Sequence, residues 1–246
     1  MPPMRATFVL LLSLLVTISV PNGKVNAQAP AVRLFLESER PSFTLGEPVY
    51  LIARLRNESG TSARLIPLLN PSDGLLVVTL TGPRGERLGF VPLSVRDNDT
   101  GPIDLAPGAQ IAASFPVFFG AQGWTLRTPG TYIAKARFTI HDGSGRPRVI
   151  GSDSVAIRVG DQPAAAAAML MNEGEASRQA GKFLLWFGGD HLAQGTGLLA
   201  ALADRFGTAP VVDHIRLAFG RPLRKVIATK PEEELPRLTT RLPLVH

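Results

Sequence analysis

The pattern of the chain changes at Gly160-Asp161-Gln162-Pro163, and this change constrains the fold more than any other feature. Before it, short runs rich in Val, Ile, Leu, Phe and Thr alternate with turns built from Gly, Pro, Asn and Asp. The candidate strands are 31–38 (AVRLFLES), 49–56 (VYLIARLR), 63–67, 75–81, 87–92, 109–118, 131–141 and 149–159. Runs of this length, with no helical period among them, predict a sheet protein. Gly82-Pro83-Arg84-Gly85-Glu86 and Asp142-Gly143-Ser144-Gly145 mark two hairpin turns. The spacing of runs and turns predicts an antiparallel sandwich over residues 31–159.

After the change the spacing becomes helical. Asp161 is expected to cap a helix whose first turn holds Pro163. The run 164–171 (AAAAAMLM) is a strong helix former. Further helices are expected over 179–187, 191–206 and 209–219, with Leu198, Leu199, Leu202 and Phe206 at helical spacing. Gly188-Gly189, Gly207 and Gly220 stand where helices should stop. A small all-α bundle over 162–220, docked on the sandwich with Trp186 and Phe187 sealing the junction, is the expected outcome. From 221 to 246 the chain is charged and interrupted by proline, and reads as an irregular or disordered tail.

Residues 1–27 read as an address. A short basic start at Met1 to Arg5 precedes an apolar run from Ala6 to Val20, then a polar stretch and small residues. This is the layout of a secretory signal peptide, with cleavage after Ala27 or after Ala29, and Ala27 preferred because Pro30 would follow the second cut. The run is short for a membrane span, which needs roughly 20 residues. No later segment is apolar enough to span, so the mature chain is expected to be secreted or periplasmic. Removing Arg5 and Lys24 leaves 24 basic against 20 acidic residues, a net charge of +4. The cations are scattered, with no basic helix interleaved with aromatics, so no nucleic-acid partner is expected. The absence of cysteine removes disulfides, thiolate nucleophiles and Cys-ligated metals.

Three phrases carry a resemblance. Phe43-Thr44-Leu45-Gly46-Glu47-Pro48-Val49 followed by Leu55-Arg56-Asn57, then Leu105-Ala106-Pro107-Gly108, then Leu126-Arg127-Thr128-Pro129-Gly130-Thr131-Tyr132 resemble the turns of secreted bacterial immunoglobulin-like domains. The last implies a corner in which the Tyr132 phenol bonds back to upstream backbone. In the second half, Leu202-Ala203-Asp204-Arg205-Phe206-Gly207-Thr208-Ala209-Pro210 with Ile215 to Gly220 resembles one unit of the helical-hairpin repeats of binding scaffolds. No second copy follows at a fixed period, which favours a compact bundle. The fold class expected is therefore two modules, an all-β immunoglobulin-like antiparallel sandwich followed by a small all-α bundle.

Chemistry is sparse. There is no Gly-x-Ser-x-Gly elbow, P-loop, His-Glu-x-x-His helix or dinucleotide fingerprint, and nothing calls for a cofactor. Asp190-His191 and Asp213-His214 are candidate metal ligands, because imidazole and carboxylate suit zinc and similar ions. Adjacent residues on a helix diverge by about 100°, so each pair would supply one ligand. Against this stands a capping role for Asp190 and an ordinary helix-surface role for His214. Asp97, Asp99 and Asp104 form the densest oxygen cluster, a candidate calcium loop or a polar loop held by Asx turns. Asn57-Glu58-Ser59 and Asn98-Asp99-Thr100 match the glycosylation triplet. Phe118, Phe119 and Trp124 are the candidate ligand surface, since aromatics on a sandwich stack on sugars or anchor partners; the alternative is core packing. Absent catalytic strings and a display-type fold predict an exported, non-catalytic protein that binds a protein or cell-envelope component. A metal-dependent hydrolase using the Asp/His pairs, or a secreted protease inhibitor, is the alternative.

Overall fold

In a computed structural model, which describes residues 32–141, 147–189 and 191–220, the runs of period two build two sheets. The smaller sheet has the order β1 (Val32–Ser38), β3 (Tyr50–Asn57), β8 (Gln110–Pro116), and is antiparallel throughout. The larger sheet has the order β2 (Ser42–Thr44), β13 (Val155–Gly160), β11 (Gly130–Ile140), β5 (Leu76–Thr81), β6 (Arg87–Gly89), and β12 (Arg148–Gly151) also pairs with β11. Two short ladders complete the strands: β4 (Ala63–Leu65) with β7 (Ile103–Leu105), and β9 (Phe119–Gly120) with β10 (Gly123–Trp124).

The two sheets face each other across side chains that alternate inward. Val32, Leu34 and Leu36 of β1 and Leu51, Ala53 and Leu55 of β3 are buried. From the larger sheet come Leu76, Val78 and Leu80, the even-numbered residues of β11 from Tyr132 to Ile140, and Ile157 and Val159. A one-residue slip would expose all of them, so burial itself holds the register. The corner expected at Thr128–Tyr132 is formed: the buried Tyr132 hydroxyl donates to the Thr128 carbonyl at 2.8 Å and accepts from the Thr128 N–H at 3.1 Å. The turn at Gly82–Glu86 joins β5 to β6, closed by Gly82 N–H to the Glu86 carbonyl at 2.8 Å. The second expected turn, 142–145, lies outside the described residues; its flanking strands pair Ile140 with Arg148.

Two strand expectations need correction. The larger sheet is mixed, because β2 runs parallel to β13. And the run 149–159 is two strands. Opposite β11 the pairing passes from Arg137↔Gly151 to Ala134↔Val155, so three residues oppose two. This is a β-bulge. Ser152 holds it, donating its N–H to the Ala136 carbonyl and accepting the Ala136 N–H on its hydroxyl, both at 2.9 Å.

Four helices follow: α1 (Ala164–Met171), α2 (Glu175–Trp186), α3 (Ala193–Arg205) and α4 (Pro210–Gly220). Asp161 does not cap α1; Pro163 occupies the N-cap position, with no side-chain cap bond. Their inward residues, among them Leu170, Phe183, Leu184, Leu199, Leu202, Val211, Ile215 and Phe219, belong to one hydrophobic cluster continuous with the strands. Trp186 does not seal the junction, being 48% exposed. Among the described residues no helix is long and apolar enough to cross a membrane.

Candidate functional site

The aromatic cluster expected at a ligand surface is interior. Phe118, Phe119 and Trp124 are all buried. Phe119 meets Trp124 edge-on with ring centres 5.6 Å apart, and the Trp124 Nε1–H donates to the Ser177 hydroxyl of α2 at 3.1 Å. Ser177 in turn donates to the Leu170 carbonyl of α1. These residues join the helices to the sheets and present no surface to a ligand.

The candidate metal ligands stay apart. Asp97 and Asp99 are exposed, and Asp104 of β7 faces Arg64 at 3.7 Å. Asp213 is exposed and faces Arg216 at 3.4 Å. His191 is exposed beside Trp186, and Asp190 lies outside the described residues. Among the described residues no three His, Asp or Glu side chains converge on a common point. Of the two glycosylation triplets, Asn57 is buried, and its Nδ2 donates to the Thr61 and Leu105 carbonyls at 2.7 and 2.8 Å. It ties the end of β3 to the β4–β7 ladder and has no free amide for a glycan. Asn98 is exposed and donates to Asp73.

Among the described metal-ligand candidates, His214 is the one that meets a carboxylate from elsewhere in the chain. Its Nε2 lies 3.4 Å from Oε1 of Glu47, and the Arg40 guanidinium lies 3.6 Å from the same oxygen. The other carboxylate oxygen accepts the Thr44 N–H. Local chain geometry explains this contact. Pro41 O and Leu45 N point at β13, so by alternation Thr44 N points to the open edge of β2. A turn follows, closed by Glu47 N–H to the Thr44 carbonyl at 3.0 Å, with Gly46 at φ +86°. A side chain at Gly46 would be strained by that φ, and its Cβ would lie 2.7 Å from Leu170 of α1. The turn thus folds the Glu47 carboxylate back over the outward-facing Thr44 N–H at the β2 edge, and His214 of α4 closes on it.

Glu47 is buried at 6% exposure. Burial pushes its carboxyl upward, but the bonds from His214 and the Thr44 N–H and the charge of Arg40 outweigh it, so the group is held below the ordinary value of 4.5. A carboxylate lowered in the folded state contributes stability above that ordinary value, and the contribution is lost as pH falls through the folded value. Glu47→Gln is therefore expected to cost about 1–3 kcal/mol at neutral pH and much less at pH about 3. Thermal unfolding at both pH values checks this. An equal loss at the two would show that the charge of Glu47 is immaterial.

Beside this clamp opens a groove of about 590 Å³, lined by Arg40, Ser42, Glu47, Thr131, Arg158 and Pro210. The Glu47 charge at its floor is already engaged, which leaves the Arg158 guanidinium and the hydroxyls of Ser42 and Thr131 to meet a ligand. Such a lining suits an anionic or acceptor-rich group. Sequence reasoning missed Arg40, Glu47 and Arg158. The available signal was a carboxylate set between a turn glycine and a proline in an otherwise apolar stretch.

No family model matches this chain. No curated protein matches it in sequence either. Solved structures resemble parts of it. The C-terminal domain of Wzt aligns with 54% of this chain and 75% of its own length, at 13% identity and a TM-score of 0.32. The CARDB domain of a Pyrococcus furiosus protein aligns over 52% and 87%, at 11% identity and 0.29. The putative ApaA protein of Bordetella pertussis aligns over 52% and 91%, at 13% identity and 0.31. Similarity at this level assigns neither a family nor an activity.

Proposed function

We propose that the chain is an exported, non-catalytic binding protein, an immunoglobulin-like sandwich with a docked helical bundle that holds a protein or cell-envelope component outside the cytoplasm. The observation that carries the reading is the groove where β2, β13 and α4 meet. It presents the Arg158 guanidinium and hydroxyls over a floor whose one carboxylate is spent on Thr44, His214 and Arg40. The tripartite pattern of residues 1–27 supports export. The imidazole–carboxylate pair supports a clamp better than a catalytic dyad, because Glu47 fills an edge donor of the sheet.

The test has two parts. Residues 1–40 fused to alkaline phosphatase, which is active only outside the cytoplasm, should yield active enzyme. The purified chain should sediment with washed cell envelopes, and Arg158→Glu should weaken that association about tenfold or more, since it replaces a cation with a like charge toward an anionic group. An inactive fusion overturns export. Unchanged sedimentation of the variant overturns the groove.

A further inference from the structure

The two faces of the sandwich differ in charge in a way that folding does not require. On the smaller sheet, two of the three strand cations have partners, Arg54 with Glu37 at 3.0 Å and Arg33 with Asp153 at 3.3 Å, and Arg56 stands without one among the described residues. On the larger sheet, the register puts the odd-numbered residues of β11 on the outer face. Thr131 lies beside Arg158, Ile133 beside Ala156 and Thr81, Lys135 beside Thr79, Arg137 beside Val77 and Gly151, and Thr139 beside Val149. One strand further, Thr81 lies beside Arg87. All of these are exposed or half-buried, and the helices join the molecule at the β2 edge and at β9 and β10, away from this face. None of the six strands of this sheet contains an aspartate or a glutamate.

From this asymmetry we propose that the outer face of the larger sheet is a docking surface for an acidic polysaccharide, laid across Arg87, Lys135, Arg137 and Arg158. The inference deepens the binding reading above and rests on it; Arg158 belongs to both the face and the groove. The strand spacing and rise place the four cations within roughly 21 Å of one another. Among the described residues none of the four has a carboxylate partner. Two carboxylates at the margin are engaged: Glu86 accepts the Arg84 N–H within its own turn, and Asp153 holds Arg33. Like charges collected on one flat face repel each other and raise the local potential, which a polyanion relieves.

The other side chains select among polyanions. Thr79, Thr81, Thr131 and Thr139 offer hydroxyls between the cations, and no aromatic ring stands on the face. Single-stranded nucleic acid is gripped by stacking on aromatics, and membrane surfaces by aromatics set beside apolar residues; the face has exposed Val77 and Val149 but no ring beside them. A sugar chain bearing carboxylates or sulfates needs what is present: guanidinium forks for the anions and hydroxyls for the ring oxygens.

The probe is polygalacturonate, with heparin as a sulfated counterpart, titrated calorimetrically into the full chain at low and physiological salt. Binding is expected, weakening with salt. Lys135→Glu/Arg137→Glu should lower affinity about tenfold or more. Arg56→Glu/Arg178→Glu carries the same change in net charge on other surfaces and should stay within about twofold. Both doubles are expected to keep the wild-type melting temperature, because the four positions are exposed. Equal loss in the two doubles, no binding by the wild type, or tighter binding to duplex DNA or to phosphatidylglycerol vesicles would overturn the proposal. If the Lys135/Arg137 double keeps its envelope sedimentation while Arg158→Glu loses it, the face falls and the groove reading stands.

Discussion

Replacing Trp124 by alanine is expected to lower the stability of the protein by about 3–5 kcal/mol, as for large aromatic deletions in other cores. Trp124 is buried where the sheets meet the helices, against Phe118 and Phe119. Its Nε1–H satisfies Ser177, which itself bonds the Leu170 carbonyl. Deleting the ring therefore opens a cavity and leaves a buried hydroxyl short of a partner. Trp124→Phe restores most of the volume but not the donor, and should cost about 1–2 kcal/mol. Urea unfolding followed by circular dichroism measures both. A Trp124→Ala protein as stable as the wild type but deficient in binding would return this residue to a ligand surface and refute the packing described above.

Gly195→Ala should cost nearly as much, although it adds a single methyl group. The new Cβ would lie 2.4 Å from the Gln179 carbonyl carbon and 2.5 Å from the Ala180 nitrogen, both backbone atoms of α2. Backbone cannot rotate aside as a side-chain tip can, so α2 and α3 must separate. The same crossing caps α3: the Gln179 side-chain oxygen accepts the Gln194 and Gly195 N–H groups at 3.1 and 3.2 Å. Separation would expose those donors as well as the apolar seam. The expected loss is about 2–3 kcal/mol. Gly197→Ala is the control, since a Cβ there meets nothing within 4 Å and alanine is the better helix former. Equal melting temperatures for the two variants would show that the helices do not cross as closely as described.

Several features were legible from local pattern alone. The apolar runs predicted the long strands but not the short β2, β7, β9 and β10, and the resemblance of the phrase ending in Tyr132 implied a corner that the hydroxyl bonds of Thr128 and Tyr132 complete. The run of alanines predicted the body of α1, though its cap lies at Pro163 and not at Asp161. The limits of local pattern are also specific. The run 149–159 shows no break in composition, because its bulge is a matter of register against β11. Trp124 lies among Gln122, Gly123 and Thr125, and Trp186 among Leu184, Leu185 and Phe187, yet the first is interior and the second half exposed. Only the docking of α2 separates them. Glu47 read as a turn residue because nothing nearby in sequence foretells that His214 will reach it.

What the sequence by itself determined is the succession of a strand-rich stretch and a helix-rich one and the place of the longer elements in each, since apolar runs and turn chemistry act over a few residues. Tertiary structure alone decided which aromatics became core, which carboxylate became a clamp, and which cations were left without partners. Lys135 and Arg137 are ordinary strand residues until β5, β6 and β13 bring Thr79, Arg87 and Arg158 alongside and bring no acid with them. Those outcomes depend on contacts between residues far apart in the chain, and local propensity carries no information about such contacts.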